Sequence, residues 1–157
     1  MTAVQLTHLD ARLAYLALQY HLARPGSELD PMTKQPAPHG LAEVAAALEP
    51  QLDRASAAIE LNEEQRQRML SALSGAINEL KATSLLAGGG KSMVPAFRET
   101  LQRLFPDAAE DEEEATKLAG HMLMLRRRLE QIDTSAPAQP EHNGKRSRWQ
   151  FWKRRGA

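Results

Sequence analysis

Apolar residues recur along most of this chain at spacings of three and four, the period at which side chains share one face of an α-helix. Leu6, Leu9, Leu13, Leu16 and Tyr20 form the first stripe and leave Asp10, Arg12 and Gln19 off it, which predicts a helix over about Ala3–Ala23. Arg24, Pro25 and Gly26 end it, because proline disfavours helical geometry in the residue before it and glycine tolerates the turn that follows. Pro25, Pro31, Pro36 and Pro38, with Gly26 and Gly40, make 25–40 a long connection. Leu29 and Met32 are expected to pin it across the helices, with a partner-binding loop as the alternative. Leu41, Val44, Leu48, Leu52, Ala55 and Ile59 then resume the helical rhythm, and Pro50, which lacks a backbone donor, should kink or split that helix.

Asn62, followed by Glu63, Glu64 and Gln65, has the form of an N-cap with its capping-box partner. Leu70, Leu73, Ile77 and Leu80 carry a third helix to about Ala87, where Gly88, Gly89 and Gly90 end it. Val94, Phe97, Leu101 and Leu104 mark a short helix closed by Pro106. Asp107 is expected to cap the last helix, with Glu110 three residues on and a stripe of Ala115, Leu118, Met122, Leu125, Leu129 and Ile132. Its acidic start and Arg126, Arg127 and Arg128 near its end suit the helix dipole. No segment reads as a strand. The predicted fold is all-α, an antiparallel bundle of four to five helices over residues 1–133 whose stripes cover one another. The same spacing permits two chains to associate, so a homodimer is among the expected assemblies.

Composition narrows the class. The chain has 157 residues, 42% apolar and 25% charged, which fits one soluble domain. At this length roughly 68–70% of the unfolded surface can be buried. The lack of Cys excludes disulfides, thiolate nucleophiles and thiolate metal sites, and fits a reducing compartment. Near the N-terminus the longest apolar run is Leu13–Leu18, well short of the roughly 20 residues that span a bilayer. No basic start or small-residue cleavage site marks a targeting segment. A cytoplasmic location, peripheral at the membrane, is the expectation.

Charge supplies the strongest functional clue. The 20 basic and 20 acidic residues cancel, yet 14 of the basic and 19 of the acidic residues lie in 1–133, and the other six basic residues lie after it with only Glu141 to oppose them. Pro137 and Pro140, among small and polar residues, make 134–144 a flexible linker. Residues 145–157 form a tail, expected to be disordered, with Lys145, Arg146, Arg148, Trp149, Phe151, Trp152, Lys153, Arg154 and Arg155. Both tryptophans and one of the three phenylalanines lie in it, where there is no core to fill. Rings of this kind favour the membrane interface and the cations favour anionic headgroups, so tethering to an anionic membrane is the first expectation. The same residues suit nucleic acid, with cations on phosphates and indoles on exposed bases. Asp107, Glu110, Asp111, Glu112, Glu113 and Glu114 are the candidate acids on which the tail would dock within its own chain.

Other motifs carry less. In Gly88-Gly89-Gly90-Lys91-Ser92 the first glycine of a phosphate-binding loop would fall on Leu85, and a helix precedes it where a strand is required. Phe97–Leu104 and the helix after Pro106 outline a helix-turn-helix, but acids crowd the end that would meet phosphates. His8, His21, His39, His121 and His142 show no H-x-x-x-H or E-x-x-H pairing; His39 and Glu43 alone are four apart. No calcium loop and no nucleophile elbow is present. The reading is a non-enzymatic interaction or adaptor protein without metal or cofactor, whose bundle meets a protein partner and whose tail meets an anionic surface. A helical ligand binder or enzyme with a pocket near His8, His21 or His121 is the reading from another class.

Overall fold

The computed structural model describes residues 1–24, 26–30, 32–35, 39–85 and 94–132, without the side chains of 83–85. Along them run β1 (Thr2–Thr7), α1 (His8–Ala23), α2 (Leu41–Leu48), β2 (Ser56–Leu61), α3 (Glu63–Leu85), α4 (Pro95–Leu104), α5 (Pro106–Glu110) and α6 (Glu112–Glu130). The fold is mostly helical, as the periodicity predicts, but β1 and β2 pair as an antiparallel sheet running from Thr2 opposite Leu61 to Thr7 opposite Ser56.

The sheet corrects two expectations. The first helix starts at His8 and not near Ala3, because Thr7 is its N-cap: Thr7 Oγ1 accepts from the Asp10 N–H (3.1 Å) and Asp10 Oδ2 accepts from the Thr7 N–H (3.3 Å). That capping box fixes Thr7 in an extended conformation, and upstream of it Val4 and Leu6 point inward while Ala3 and Gln5 are exposed. The second stripe likewise stops being helical. Glu49–Gln51 forms a 3-10 turn at Pro50, and Ala57, Ile59 and Leu61 then alternate inward as a strand. Gln51 holds this reversal. Its side-chain amide donates to the carbonyls of Ala47 (2.8 Å) and Ala58 (3.1 Å), and its Oε1 accepts from the Ala58 N–H (3.0 Å).

Helix α1 occupies the middle of the core. Leu13 to Leu18 are each at most 6% exposed, a continuous run covered by α2, α3, α4 and α6. A helix apolar on every side needs neighbours on every side. Antiparallel α4 supplies Phe97, whose ring meets Tyr20 edge-on at 5.6 Å between centroids, and Arg103, which lies 5.6 Å over the Tyr15 ring. Helices α3 and α6 also run antiparallel: Arg66 Nη1 donates to the Leu129 carbonyl (3.1 Å) and Arg126 Nε to Ser74 Oγ (2.8 Å). Asn62 caps α3 as expected, its Oδ1 accepting from the Gln65 N–H (2.8 Å) while Gln65 Oε1 accepts from the Asn62 N–H (3.0 Å).

Two further expectations change. Asp111, not Asp107, caps the last helix, with its Oδ1 accepting from the Glu114 N–H (3.0 Å); Asp107 sits one turn earlier in α5, which Pro106 opens. Met32 pins nothing, being 89% exposed.

Two glycines in helices separate packing from propensity. Alanine is the better helix former by about 1 kcal/mol. A Cβ at Gly75, however, would stand 2.5 Å from Cε1 of the Tyr20 ring, whereas a Cβ at Gly120 meets nothing within 4 Å. Gly120→Ala is therefore expected to stabilise by up to about 1 kcal/mol, and Gly75→Ala to destabilise by about 1–3 kcal/mol through overpacking. Urea denaturation of the two variants checks the pair, and a rise in stability for both would contradict the placement of Tyr20.

Candidate functional site

The tail residues Lys145, Arg146, Arg148, Trp149, Phe151, Trp152, Lys153, Arg154 and Arg155 lie outside the described residues, as do the linker 134–144, the Gly88–Ser92 loop and His142. Among the described residues the hydrophobic core runs from Val4 to Leu129.

The acids proposed as a dock are brought to one junction, where α5 hands over to α6. Their roles differ. Asp111 is the cap of α6, and Lys117 Nζ bridges Glu114 (2.8 Å) and Glu113 (3.0 Å). Hydrogen bonds to Glu114 and Glu113 hold the Lys117 ammonium above its ordinary range. Asp107, Glu110 and Glu112 are exposed. The arginine run is dispersed in turn: Arg126 joins Glu130 (2.7 Å) and Ser74, Arg128 pairs with Asp10, and Arg127 is exposed. That dispersal makes Arg126 and Arg128 fastenings of α6 and not parts of a basic face.

The histidines do not converge. His8 Nδ1 lies 2.9 Å from the Arg54 carbonyl. His39 pairs with Glu64 (2.8 Å) and not with Glu43, and its N–H donates to Glu28 Oε2 (2.8 Å). His121 is exposed. Among the described residues no group of three His, Cys, Asp or Glu side chains is placed to hold a metal ion.

Among the described residues, His21 borders a cleft. It is buried at the end of α1, its Nε2 3.3 Å from Glu28 Oε1. Beside it residues 26–30 and 32–35 and α3 border a cleft of about 340 Å³, lined by Arg24, Ser27, Asp30, Lys34, Arg68 and Ser71 among others. The loop has its own supports: Gly26 takes a left-handed φ of 83°, and Asp30 Oδ1 accepts from the N–H groups of Met32 (2.9 Å) and Thr33 (2.7 Å). Lys34 also holds a left-handed φ, 58°, a conformation that costs a non-glycine residue roughly 1 kcal/mol or more. Arg24 lies 5.3 Å over the Tyr20 ring. Arg24, Lys34 and Arg68 make no ion pair among the described residues, while the Asp30 carboxylate is already engaged by loop amides. The cleft is thus cationic. These cations are remote from one another in sequence, so no linear motif announces them.

No protein family, curated protein or solved structure compared with the chain matches it.

Two buried groups give the stability a definite pH dependence. Burial lowers the His21 pKa below 6.5, Glu28 opposes that, and Arg68 and Arg24 add to it. Below pH 6.5 the unfolded chain takes up a proton that the folded chain refuses, so stability falls with pH until the folded value is reached. For Asp10, burial favours the neutral acid, but hydrogen bonds from Arg128 and Thr7 outweigh it and leave the pKa below 3.8. Its contribution is complete above pH 3.8 and is lost as pH falls through the lower folded value. In urea titrations across pH, His21→Gln is expected to flatten the first decline and spare the second. Asp10→Ala is expected to cost about 2 kcal/mol at neutral pH, from the loss of charge-assisted hydrogen bonds. Unchanged pH profiles in the His21 variant would contradict a buried neutral imidazole.

Proposed function

We propose that the protein is a non-enzymatic interaction or adaptor protein whose helical body is tethered to an anionic membrane surface by residues 145–157. The observation that carries this reading is the partition of the sequence: six cations and three of the seven aromatic residues stand in the tail, both tryptophans among them, while the body is net acidic. Near anionic headgroups each cation contributes about 1 kcal/mol. Trp149, Phe151 and Trp152 would enter the interface, giving reversible attachment. No helix among the described residues is long and apolar enough to cross a membrane. The acidic body is repelled by the surface that attracts the tail, and the linker 134–144 would let it stand off by up to about 36 Å.

The test is co-sedimentation with phosphatidylserine-containing vesicles. The full chain is expected to bind, and the chain lacking 145–157 is expected to lose binding while its far-UV circular dichroism stays helical. Salt should remove only part of the binding, since buried rings are not screened. Binding to oligonucleotides but not vesicles, lost steeply in salt, would replace the membrane by nucleic acid. Vesicle binding by the truncated chain would contradict the role of the tail.

The cleft beside His21 supports a second reading, a ligand binder. Three cations without carboxylate partners among the described residues, together with Ser27 and Ser71, suit a small phosphorylated or polycarboxylate molecule. Inorganic pyrophosphate is expected to raise the thermal midpoint of the protein, and Arg68→Gln to abolish the rise. No shift at millimolar pyrophosphate would count against it.

A further inference from the structure

The two edges of the sheet differ at their middle. Both the N–H and the C=O of Ala58 are engaged by the Gln51 side chain, so they face away from β1 and the outer edge of β2 is capped at its middle. Ala58 stands opposite Gln5. In an antiparallel ladder, opposed residues bond to each other or both face outward, in alternation. The His8 N–H donating to the Ala55 carbonyl (3.1 Å) gives the same phase at the end of the ladder. Val4 and Leu6 therefore bond to β2, while Ala3 and Gln5 direct their N–H and C=O groups outward, where they have no partner among the described residues. Thr7, the next outward position, gives its N–H to Asp10.

Exposed strand edges are ordinarily protected by charge, proline or a bulge. Thr2-Ala3-Val4-Gln5-Leu6-Thr7 has no charged side chain and no proline, and β1 pairs with β2 residue for residue without a bulge. Beyond β2, β1 packs chiefly on α1, which follows it directly in the chain.

We propose that this edge pairs with β1 of a second copy of the same chain. With a two-fold axis at Val4, Ala3 faces the partner's Gln5 and Gln5 faces the partner's Ala3, so every outward N–H and C=O of these residues finds its complement. The match of the strand with itself identifies the occupant, and the capped edge of β2 limits the product. The sheet closes as β2-β1-β1-β2, a dimer, where two open edges would continue into a filament. The short ladder buries little apolar surface, so the dimer is a weak one that responds to concentration.

Sedimentation velocity on the full chain, with concentrations up to about 1 mM, tests this together with amide hydrogen exchange read by NMR. The mass is expected to rise toward twice 17.4 kDa. Protection of the Ala3 and Gln5 amides is expected to rise in step, while Val4 and Leu6 stay protected throughout. Ala3→Pro removes an outward donor without touching the ladder to β2, and is expected to give a monomer of unchanged helicity. If that variant does not fold, the double variant A3K/Q5K sets like charges across the two-fold axis and is expected to do the same. Three results would overturn the proposal: a wild-type monomer throughout; a dimer that persists in the variants, which would point to another surface such as exposed Leu123 and Met124 on α6; or protected Ala3 and Gln5 amides in a monomer, which would mean another segment of the chain occupies the edge.

Discussion

Covering α1 on every side is the constraint from which the rest of the architecture follows. A run of six apolar residues, Leu13–Leu18, leaves no face of the helix fit for water, and burying each leucine is worth about 1.5–3 kcal/mol. The polar groups of α1 then decide where its neighbours sit. At its start Asp10 joins the capping box to Arg128 of α6. Two residues later, Arg12 reaches the Leu52 carbonyl (3.2 Å), Asp53 (3.0 Å) and the Leu104 carbonyl (3.4 Å), tying the turn before β2 to the end of α4. At its end His21 meets Glu28, whose other oxygen accepts from the His39 N–H and so draws the loop toward α2.

Much of this was legible in the residues, and the parts that were not have a physical reason. Asn62 and Gln65 announce the start of α3 because a capping box is a local device, complete within four residues. Thr7-His8-Leu9-Asp10 is the same device and would have placed the start of α1, but the three-four spacing of Leu6 and Leu9 ran across it. Ile59 misled similarly: it continues a helical stripe from Leu52 and also alternates with Ala57 and Leu61. Periodicity over so few residues does not separate the two; Gln51 does, by bonding to a residue seven positions on. The acidic and arginine clusters were visible, but not that Asp111 would be a cap or Arg128 a partner of Asp10. The cationic cleft gathers Arg24, Lys34 and Arg68 from three segments.

Body and tail carry opposite net charge. The body pairs several of its own charges, at Asp10–Arg128, Arg66–Glu63 and Lys117–Glu114. The tail has the reverse composition, six cations and three aromatic rings against no acidic residue. If two bodies pair through β1, two tails reach one surface, and the second attachment becomes intramolecular. A weak dimer and a weak tether would then reinforce each other without any new contact.

Because Trp149 and Trp152 are the only tryptophans, intrinsic indole emission reports on the tail alone. The most direct measurement is that emission during titration with vesicles rich in phosphatidylserine, with phosphatidylcholine vesicles as the control. Tethering requires a blue shift with the anionic vesicles, little change with the neutral ones, and a shift that partly survives added salt. Emission unmoved by anionic vesicles, whether it starts solvent-exposed or already blue, would contradict the central claim.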